Sequence, residues 1–372
     1  MCSALLSKLN IFASKKTQVE PEVHPDMKPD SNEVKRPLFL EDYVGQDVIK
    51  EQLRIKINLF KRTNQAMSHT LLLGFPGAGK TTLARIIANE MGVKFYEFMG
   101  QDFPNSFELL HFFENIEPNA IIFIDEIHNI KGYNQEWMYP MLEDFAFAGK
   151  SFGRKFTVIG ATTHAGSLNT PFLDRFGYKP IMTPYTSEQL SLMMSNFSEK
   201  LMPDIAIPQE VLMSMATLCQ GVPRKGINLI KNFIDYVMAM VEEDRNLISS
   251  DFTLERLTKC LQFLDIDPFL GLDRLNRDYL NVLYSEKSKP IGAKSLSTMC
   301  NIQEVTLINV IEPFLLSQYI KLPIGEDRYM SGPLVKMTRQ GRIPTESAES
   351  YLKSCKRLQE DQGWFNGEIF SI

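Results

Sequence analysis

The chain has 372 residues, 44% of them apolar and 23% charged, with a formal net charge of −5. That length holds two or three domains, and the apolar fraction supports a substantial core and excludes global disorder. The acidic balance excludes a uniformly basic nucleic-acid binder but not a local basic patch. The five scattered cysteines (Cys2, Cys219, Cys260, Cys300, Cys355) suit neither zinc nor a disulfide framework, and no apolar run spans a membrane, so a reducing, cytoplasmic setting is expected.

In chain order, residues 1–35 mix Lys, Glu, Pro and Asp. They read as a flexible arm, or as a short docking helix presenting Leu5, Leu6, Leu9 and Phe12. A helix is expected over 47–62, a buried strand over 70–73 and a helix over 81–91. Further buried strands are expected over 120–124 and 156–160. Continuous apolar strands alternating with helices predict a parallel sheet covered on both faces, an α/β class. Past residue 186 the strand signals fade, and helices are expected over 188–201, 208–219, 223–240 and 252–264. Pro223 suits a first helical turn, where its missing N–H is not needed. The pattern breaks at Asp265-Ile266-Asp267-Pro268. Residues 272–345 then offer three helix-length segments and a Gly/Pro-punctuated β-like stretch, the order of a winged helix, and 346–372 continue as a helix or tail. The expected domains are therefore an arm (1–35), an ATPase domain (36–185), a helical lid (186–264), a winged helix (265–345) and a terminal segment (346–372).

The chemistry concentrates in two places. Residues 74–82 read Gly74-Phe75-Pro76-Gly77-Ala78-Gly79-Lys80-Thr81-Thr82 between a strand and a helix. Polyphosphate recognition needs several backbone N–H groups converging on one point, and glycines let a loop wrap that closely. Lys80 would reach the terminal phosphates of ATP, and Thr81 would hold Mg²⁺. About fifty residues on, the apolar run Ile121-Ile122-Phe123-Ile124 ends in Asp125-Glu126. Two acids at the end of a buried strand must face solvent, metal or ligand. Asp125 is expected to orient Mg²⁺ and Glu126 to polarise the attacking water. Thr162, ending a later strand, would hold that water or simply cap the strand. Arg175 and Arg224 are candidate phosphate sensors, or ordinary ion-paired arginines.

These residues in this order resemble the AAA+ ATPases and, within them, the RuvB family of Holliday-junction branch-migration motors. Further segments carry the likeness from 36 to about 345: Tyr43-Val44-Gly45-Gln46, Ile127-His128 after the acid pair, Glu143-Asp144-Phe145, Ile159-Gly160-Ala161-Thr162-Thr163, Asp174-Arg175-Phe176-Gly177, Gly221-Val222-Pro223-Arg224, Ile311-Glu312-Pro313-Phe314-Leu315 and Gly341-Arg342. The resemblance implies a hexameric ring on duplex DNA with nucleotide between subunits. It implies that Gly77, Ala78, Gly79, Lys80, Thr81 and Thr82 grip phosphates. Lys35, Arg36, Tyr43 and Val44 would line the adenine end, with Tyr185 nearby. Glu143, Asp144 and Phe145 would lie at the nucleotide-bearing edge. Arg224 would act from the lid, and Arg175 as a finger in trans.

Three departures stand out. Relatives carry a long hairpin before the sensor strand that docks a RuvA partner. Here only Ala148-Gly149-Lys150-Ser151-Phe152-Gly153-Arg154-Lys155 fills that space, which leaves a RuvA-like partner open. The usual Thr-Arg-Ala-Gly is Thr163-His164-Ala165-Gly166, and an Arg is replaced by Asn129. The wing is expanded by residues 323–335, and its Thr-Pro-Arg-Gly-Arg pattern reads Thr338-Arg339-Gln340-Gly341-Arg342.

That wing carries Arg328, Lys336, Arg339 and Arg342 and no acid from 328 to 342. It is expected to touch the DNA backbone through Arg339 and Arg342 without reading bases, or else to be a solvated basic loop. His128 either couples to the site or is structural. The leading expectation is an ATP-driven translocase on duplex DNA or Holliday junctions. Rival readings are a nucleotide-switched assembly factor or loader on DNA, and a remodeller that does not bind DNA.

Overall fold

The computed structural model describes residues 36–103, 106–147, 150–241, 246–286, 289–317, 320–325 and 328–364. Lys35 and the arm expected over 1–35 lie outside them. Arg36–Ile372 forms one compact unit.

The first half is built on a parallel sheet. After helix α1 (Asp47–Thr63) come β1 (Thr70–Leu73), α2 (Lys80–Met91), β2 (Phe95–Met99), α3 (Ser106–Asn115), β3 (Ile121–Asp125), α4 (Gly132–Asp144), the short strands β4 (Ala146–Phe147) and β5 (Lys150–Ser151), β6 (Thr157–Thr162) and α5 (Thr170–Asp174). The sheet order is β1-β6-β3-β2, all parallel. Bridges from Thr70 to Tyr178 and Leu73 to Ile181 add a further parallel segment beyond β1. Side chains alternate between faces along each strand. Leu72, Ile121, Phe123, Ile159 and Ala161 therefore face α1 and α2, whose Leu53, Ile57, Leu83, Ile86 and Ile87 are buried against them. Leu71, Ile122, Ile124 and Val158 face the opposite way, against Leu109, Phe113, Met138 and Met141 of α3 and α4. Each such side chain taken fully from water contributes about 1.5–3 kcal/mol. Burial on both faces is why these strands read as continuous apolar runs.

A helical unit follows: α6 (Ser187–Leu201), α7 (Gln209–Leu218), α8 (Pro223–Met240) and α9 (Leu254–Phe263). Thr186 and Gln189 cap α6 reciprocally, and Pro223 occupies the first turn of α8 as expected. The chain then turns on Asp267, a fully buried carboxylate that accepts from the N–H groups of Phe269 and Leu270 at 2.8 Å each and of Leu272.

The last unit holds α10 (Arg274–Ser285), α11 (Ala293–Met299) and a third helix. That helix is α-helical over Glu304–Thr306, widens to a π-helix over Leu307–Ile311 and returns to α over Glu312–Leu315. Pro313 has no N–H to return to the Asn309 carbonyl, which accounts for the widening. Two antiparallel hairpins follow: β7 (Lys321–Gly325) with β8 (Arg328–Ser331), and β9 (Val335–Thr338) with β10 (Gly341–Pro344). The expanded wing is thus a second hairpin. The terminal segment begins with a helix, α12 (Glu346–Gln362), capped by Thr345. Among the described residues no helix is long and apolar enough to cross a membrane.

Candidate nucleotide site

The phosphate loop joins β1 to α2. Its turns require left-handed backbone at Gly77 (φ 78°) and Gly79 (φ 95°). Space forbids side chains there too. A Cβ on Gly77 would lie 3.0 Å from both Arg224 Cβ and Val222 Cγ1, and one on Gly79 would lie 2.9 Å from the Tyr43 hydroxyl. The lid arginine and the N-terminal tyrosine are therefore packed on the loop. Lys80 is buried, its ammonium donating to Gly74 O at 2.9 Å and Phe75 O at 3.1 Å. Burial lowers its pKa; Glu126 and Asp125 pull it back up, and Arg224 adds to the lowering.

Thr81 Oγ1 donates to Asp125 Oδ2 at 3.1 Å, across the gap between the first turn of α2 and the end of β3. A threonine hydroxyl and a carboxylate at this separation, beside a polyphosphate loop, are the oxygen donors that suit Mg²⁺. Glu126 follows with left-handed backbone (φ 45°, ψ 49°). Its Oε2 is enclosed 3.2 Å from His128 Nδ1 yet takes no aligned hydrogen bond. His128 Nδ1 is instead paired at 2.9 Å with Thr162 Oγ1, which also accepts the His164 N–H at 2.9 Å. Burial lowers the His128 pKa, with Glu126 opposing and His164 and Lys80 adding to the lowering. Thr162, Glu126 and His128 thus form one contiguous group.

Beside the loop, Tyr43 and Tyr185 meet hydroxyl to hydroxyl at 2.9 Å, and Tyr185 donates to Ala78 O at 3.2 Å. Tyr43 must therefore donate to Tyr185. Burial first, then the partner phenol, raises the Tyr43 pKa well above its ordinary value. Gln46 clamps the neighbouring strand segment, donating to Thr183 O at 2.7 Å and accepting from Thr183 N at 3.2 Å. Val44 is half-buried between them. Arg36 and Thr82 share a cleft of about 250 Å³ with Pro37, Leu38, Arg85, Asn89 and Phe95.

Arg175 lies at the end of α5 on another edge. One guanidinium nitrogen donates to Pro171 O at 2.6 Å, another meets Glu143 Oε1 at 3.1 Å, and the group lies 4.4 Å from the Tyr139 ring centre. Glu143 is thereby placed with the finger candidate rather than against the phosphate loop of its own protomer. Asp144 is exposed beside it. Phe145 is half-buried and packs against the core, its ring centre 5.2 Å from that of Phe156 and 5.9 Å from that of His69.

In the wing, Arg339 is exposed at the β9–β10 turn, next to exposed Lys336. The expectation for Arg342 is corrected. Its guanidinium grips Glu312 with two bonds, Nε to Oε1 at 2.7 Å and Nη2 to Oε2 at 3.1 Å. Tyr279 donates to the same carboxylate at 3.1 Å. Glu312 is only 2% exposed, so Arg342 is turned inward to neutralise a buried charge. The Arg328 side chain lies outside the described residues.

Comparison with known proteins fits this geometry. The family described as "Holliday junction DNA helicase RuvB P-loop domain" matches residues 35–182, and the "RuvB C-terminal winged helix domain" matches 269–321. The RuvB subunit of the Holliday junction branch migration complex from Fervidobacterium nodosum is 33% identical over 359 residues, covering 93% of this chain and 95% of that protein. The chain belongs to the RuvB family. It is a P-loop ATPase of that family. The solved structure of the Thermotoga maritima RuvB branch migration motor is 29% identical and superposes with a TM-score of 0.73 over 86% of this chain and 98% of the other. A point mutant of that RuvB gives a TM-score of 0.74 over 86% and 99%, again at 29% identity.

Sequence reasoning missed the links that tie Thr162 to His128 and His164, and those from Gln46 to Thr183. The departure at Thr163-His164-Ala165-Gly166 was the one local signal pointing at the first of these.

Proposed function

We propose that this RuvB-family protein is an ATP-driven motor that moves duplex DNA at Holliday junctions, working as a ring with one nucleotide at each subunit interface. The observation that carries the reading is the convergence of Lys80, Thr81, Asp125, Glu126, Thr162 and Arg224 beside one loop, in a chain that matches RuvB proteins over most of its length. Gly77, Ala78, Gly79 and Thr82 supply the backbone cradle for ATP. Lys80 draws charge from the terminal phosphates. Thr81 and Asp125 would hold Mg²⁺, which supplies charge neutralisation on those phosphates. Glu126 takes a proton from the attacking water, and Thr162 holds that water in line. Tyr43, Val44 and Tyr185, with Arg36, bound the adenine end. Arg224 reports the state of the phosphates to the lid.

Arg175 completes the pocket of the next protomer, and Glu143 and Asp144 travel with it on that edge. Arg339 and Lys336 meet the DNA backbone. The hairpin formed by β4 and β5 has two residues per strand, so a RuvA-like partner would have to dock on a smaller feature than a long hairpin. Glu126→Gln tests the chemistry. It removes the base while preserving shape, so ATP binding persists and hydrolysis falls by at least about 10²-fold. Turnover at the wild-type rate would refute the role given to Glu126. Hydrolysis with no junction migration would refute the motor and leave a nucleotide-switched loader.

A further inference from the structure

Resting on the reading of Glu126 as the base, we propose that His164 is a positioning residue, anchored by Asn309 of the winged-helix unit, that holds Thr162 and so decides whether Glu126 is free to act. The contacts form one chain. His164 Nε2 lies 3.0 Å from Asn309 Oδ1. A carbonyl oxygen there requires Nε2 to carry the proton, so Nδ1 accepts from the Thr163 hydroxyl at 2.7 Å. Both ring nitrogens are therefore committed and the imidazole is fixed. Its own backbone N–H donates to Thr162 Oγ1, and that oxygen takes the second contact from His128 Nδ1.

His128 Nδ1 faces two acceptors, Thr162 Oγ1 at 2.9 Å and Glu126 Oε2 at 3.2 Å, and has one proton for them. The Glu126 carboxylate beside it favours the tautomer with the proton on Nδ1. Thr162 takes that proton in good alignment, which leaves Glu126 Oε2 without an aligned partner. Oε2 is itself enclosed, so meeting the water falls to the other carboxylate oxygen. If Thr162 shifts, His128 turns its N–H to Glu126 Oε2 and draws the carboxylate towards the imidazole, away from the attacking water. What keeps Thr162 in place is His164, and what keeps His164 in place is Asn309.

Asn309 sits in the π-helical stretch Leu307–Ile311, where Pro313 withholds the N–H that would close an α-turn on its carbonyl. The anchor is thus on the least regular turn of that helix, in the unit that carries the wing. Displacement of that unit would break the His164–Asn309 bond.

Steady-state ATPase of the full chain tests this with His164→Ala, Asn309→Ala, the double variant and Asn309→Asp, each with and without duplex DNA. Each alanine variant is expected to lower kcat by about tenfold with KM for ATP within about twofold, and the double variant to fall no further than the singles, since the two residues act as one unit. Asn309→Asp keeps the acceptor for His164 Nε2 and is expected to retain kcat. A merely structural contact would give effects that add, would follow thermal stability and would leave kcat unmoved in folded protein. Additive effects, or an unchanged kcat in Asn309→Ala, overturn the proposal. The DNA arm separates the two readings. A wild type indifferent to DNA refutes the DNA motor, while non-additive basal kcat values still uphold the latch.

Discussion

Replacing Arg342 by alanine separates a wing arginine that holds the fold from one that touches DNA. As a DNA contact Arg342 would be dispensable for folding. In the structure it neutralises Glu312, which is 2% exposed, through two hydrogen bonds, and the arginine side chain is itself only 12% exposed. Its backbone also pairs with Ile291, donating at 2.9 Å and accepting at 3.0 Å. Arg342→Ala keeps the backbone pairing and removes the guanidinium, leaving the carboxylate with one phenol donor, Tyr279. Removing one partner of a buried pair costs about 3–5 kcal/mol. Arg342→Lys restores the charge but not the fork, and should fall between. Arg339→Ala, at an exposed turn, should stay within about 0.5 kcal/mol of wild type. Urea unfolding of the full chain, followed by circular dichroism, measures all three. A loss below about 1 kcal/mol for Arg342→Ala, joined to a weaker salt dependence of DNA binding, would refute the buried-pair argument and restore the DNA contact.

Arg339→Ala should weaken duplex binding equally across sequences and reduce the salt slope of log K by about 0.9, as one lost phosphate contact does. An unchanged slope removes Arg339 from the interface. Arg175→Ala should reduce ATPase by about 10³-fold, and mixing it with Lys80→Ala subunits should restore part of that activity, because each lacks what the other supplies. Full activity in isolated Arg175→Ala protomers would sink the trans finger. His69 predicts a pH effect: burial pulls its imidazole down from 6.5 to about 4, against the opposing pull of Leu142 O. The unfolded chain then takes up the proton first as pH falls, so stability is full above pH 6.5 and declines towards pH 4, by about 3 kcal/mol in total. The urea midpoint of His69→Gln should be flatter over that range; equal slopes would refute it.

The phosphate loop and the acid pair were legible because each is local: a strand, a turn and a helix start within a dozen or so residues carry the whole signal. β2 was not, because Phe95–Met99 is an edge strand with mostly half-buried side chains, and its mixed Phe-Tyr-Glu-Phe-Met run shows neither continuous apolarity nor clean alternation. Pairings between distant residues were also hidden. Tyr43 and Tyr185 were both placed near the adenine end, yet nothing local says that one hydroxyl donates to the other. Arg342 was misread for the same reason. Its partner lies thirty residues earlier in sequence, and the pieces Glu312-Pro313 and Gly341-Arg342 are two halves of one buried ion pair.

The same distance argument explains the geometry of Glu126. Non-glycine residues avoid left-handed backbone, at a cost of about 1–2 kcal/mol, yet Glu126 holds it immediately after β3. The turn is accommodated by Gly100, which follows β2. A Cβ there would lie 2.3 Å from Glu126 O and 3.3 Å from Asp125 O, so no other residue lets the two strand ends approach this closely. The turn places the Glu126 carboxylate beside His128 while Asp125 stays on Thr81. Two adjacent acids on an extended strand would point to opposite faces. The left-handed step at Glu126 breaks that alternation, so that Asp125 meets Thr81 while its neighbour meets His128, the division of labour that the proposed function requires.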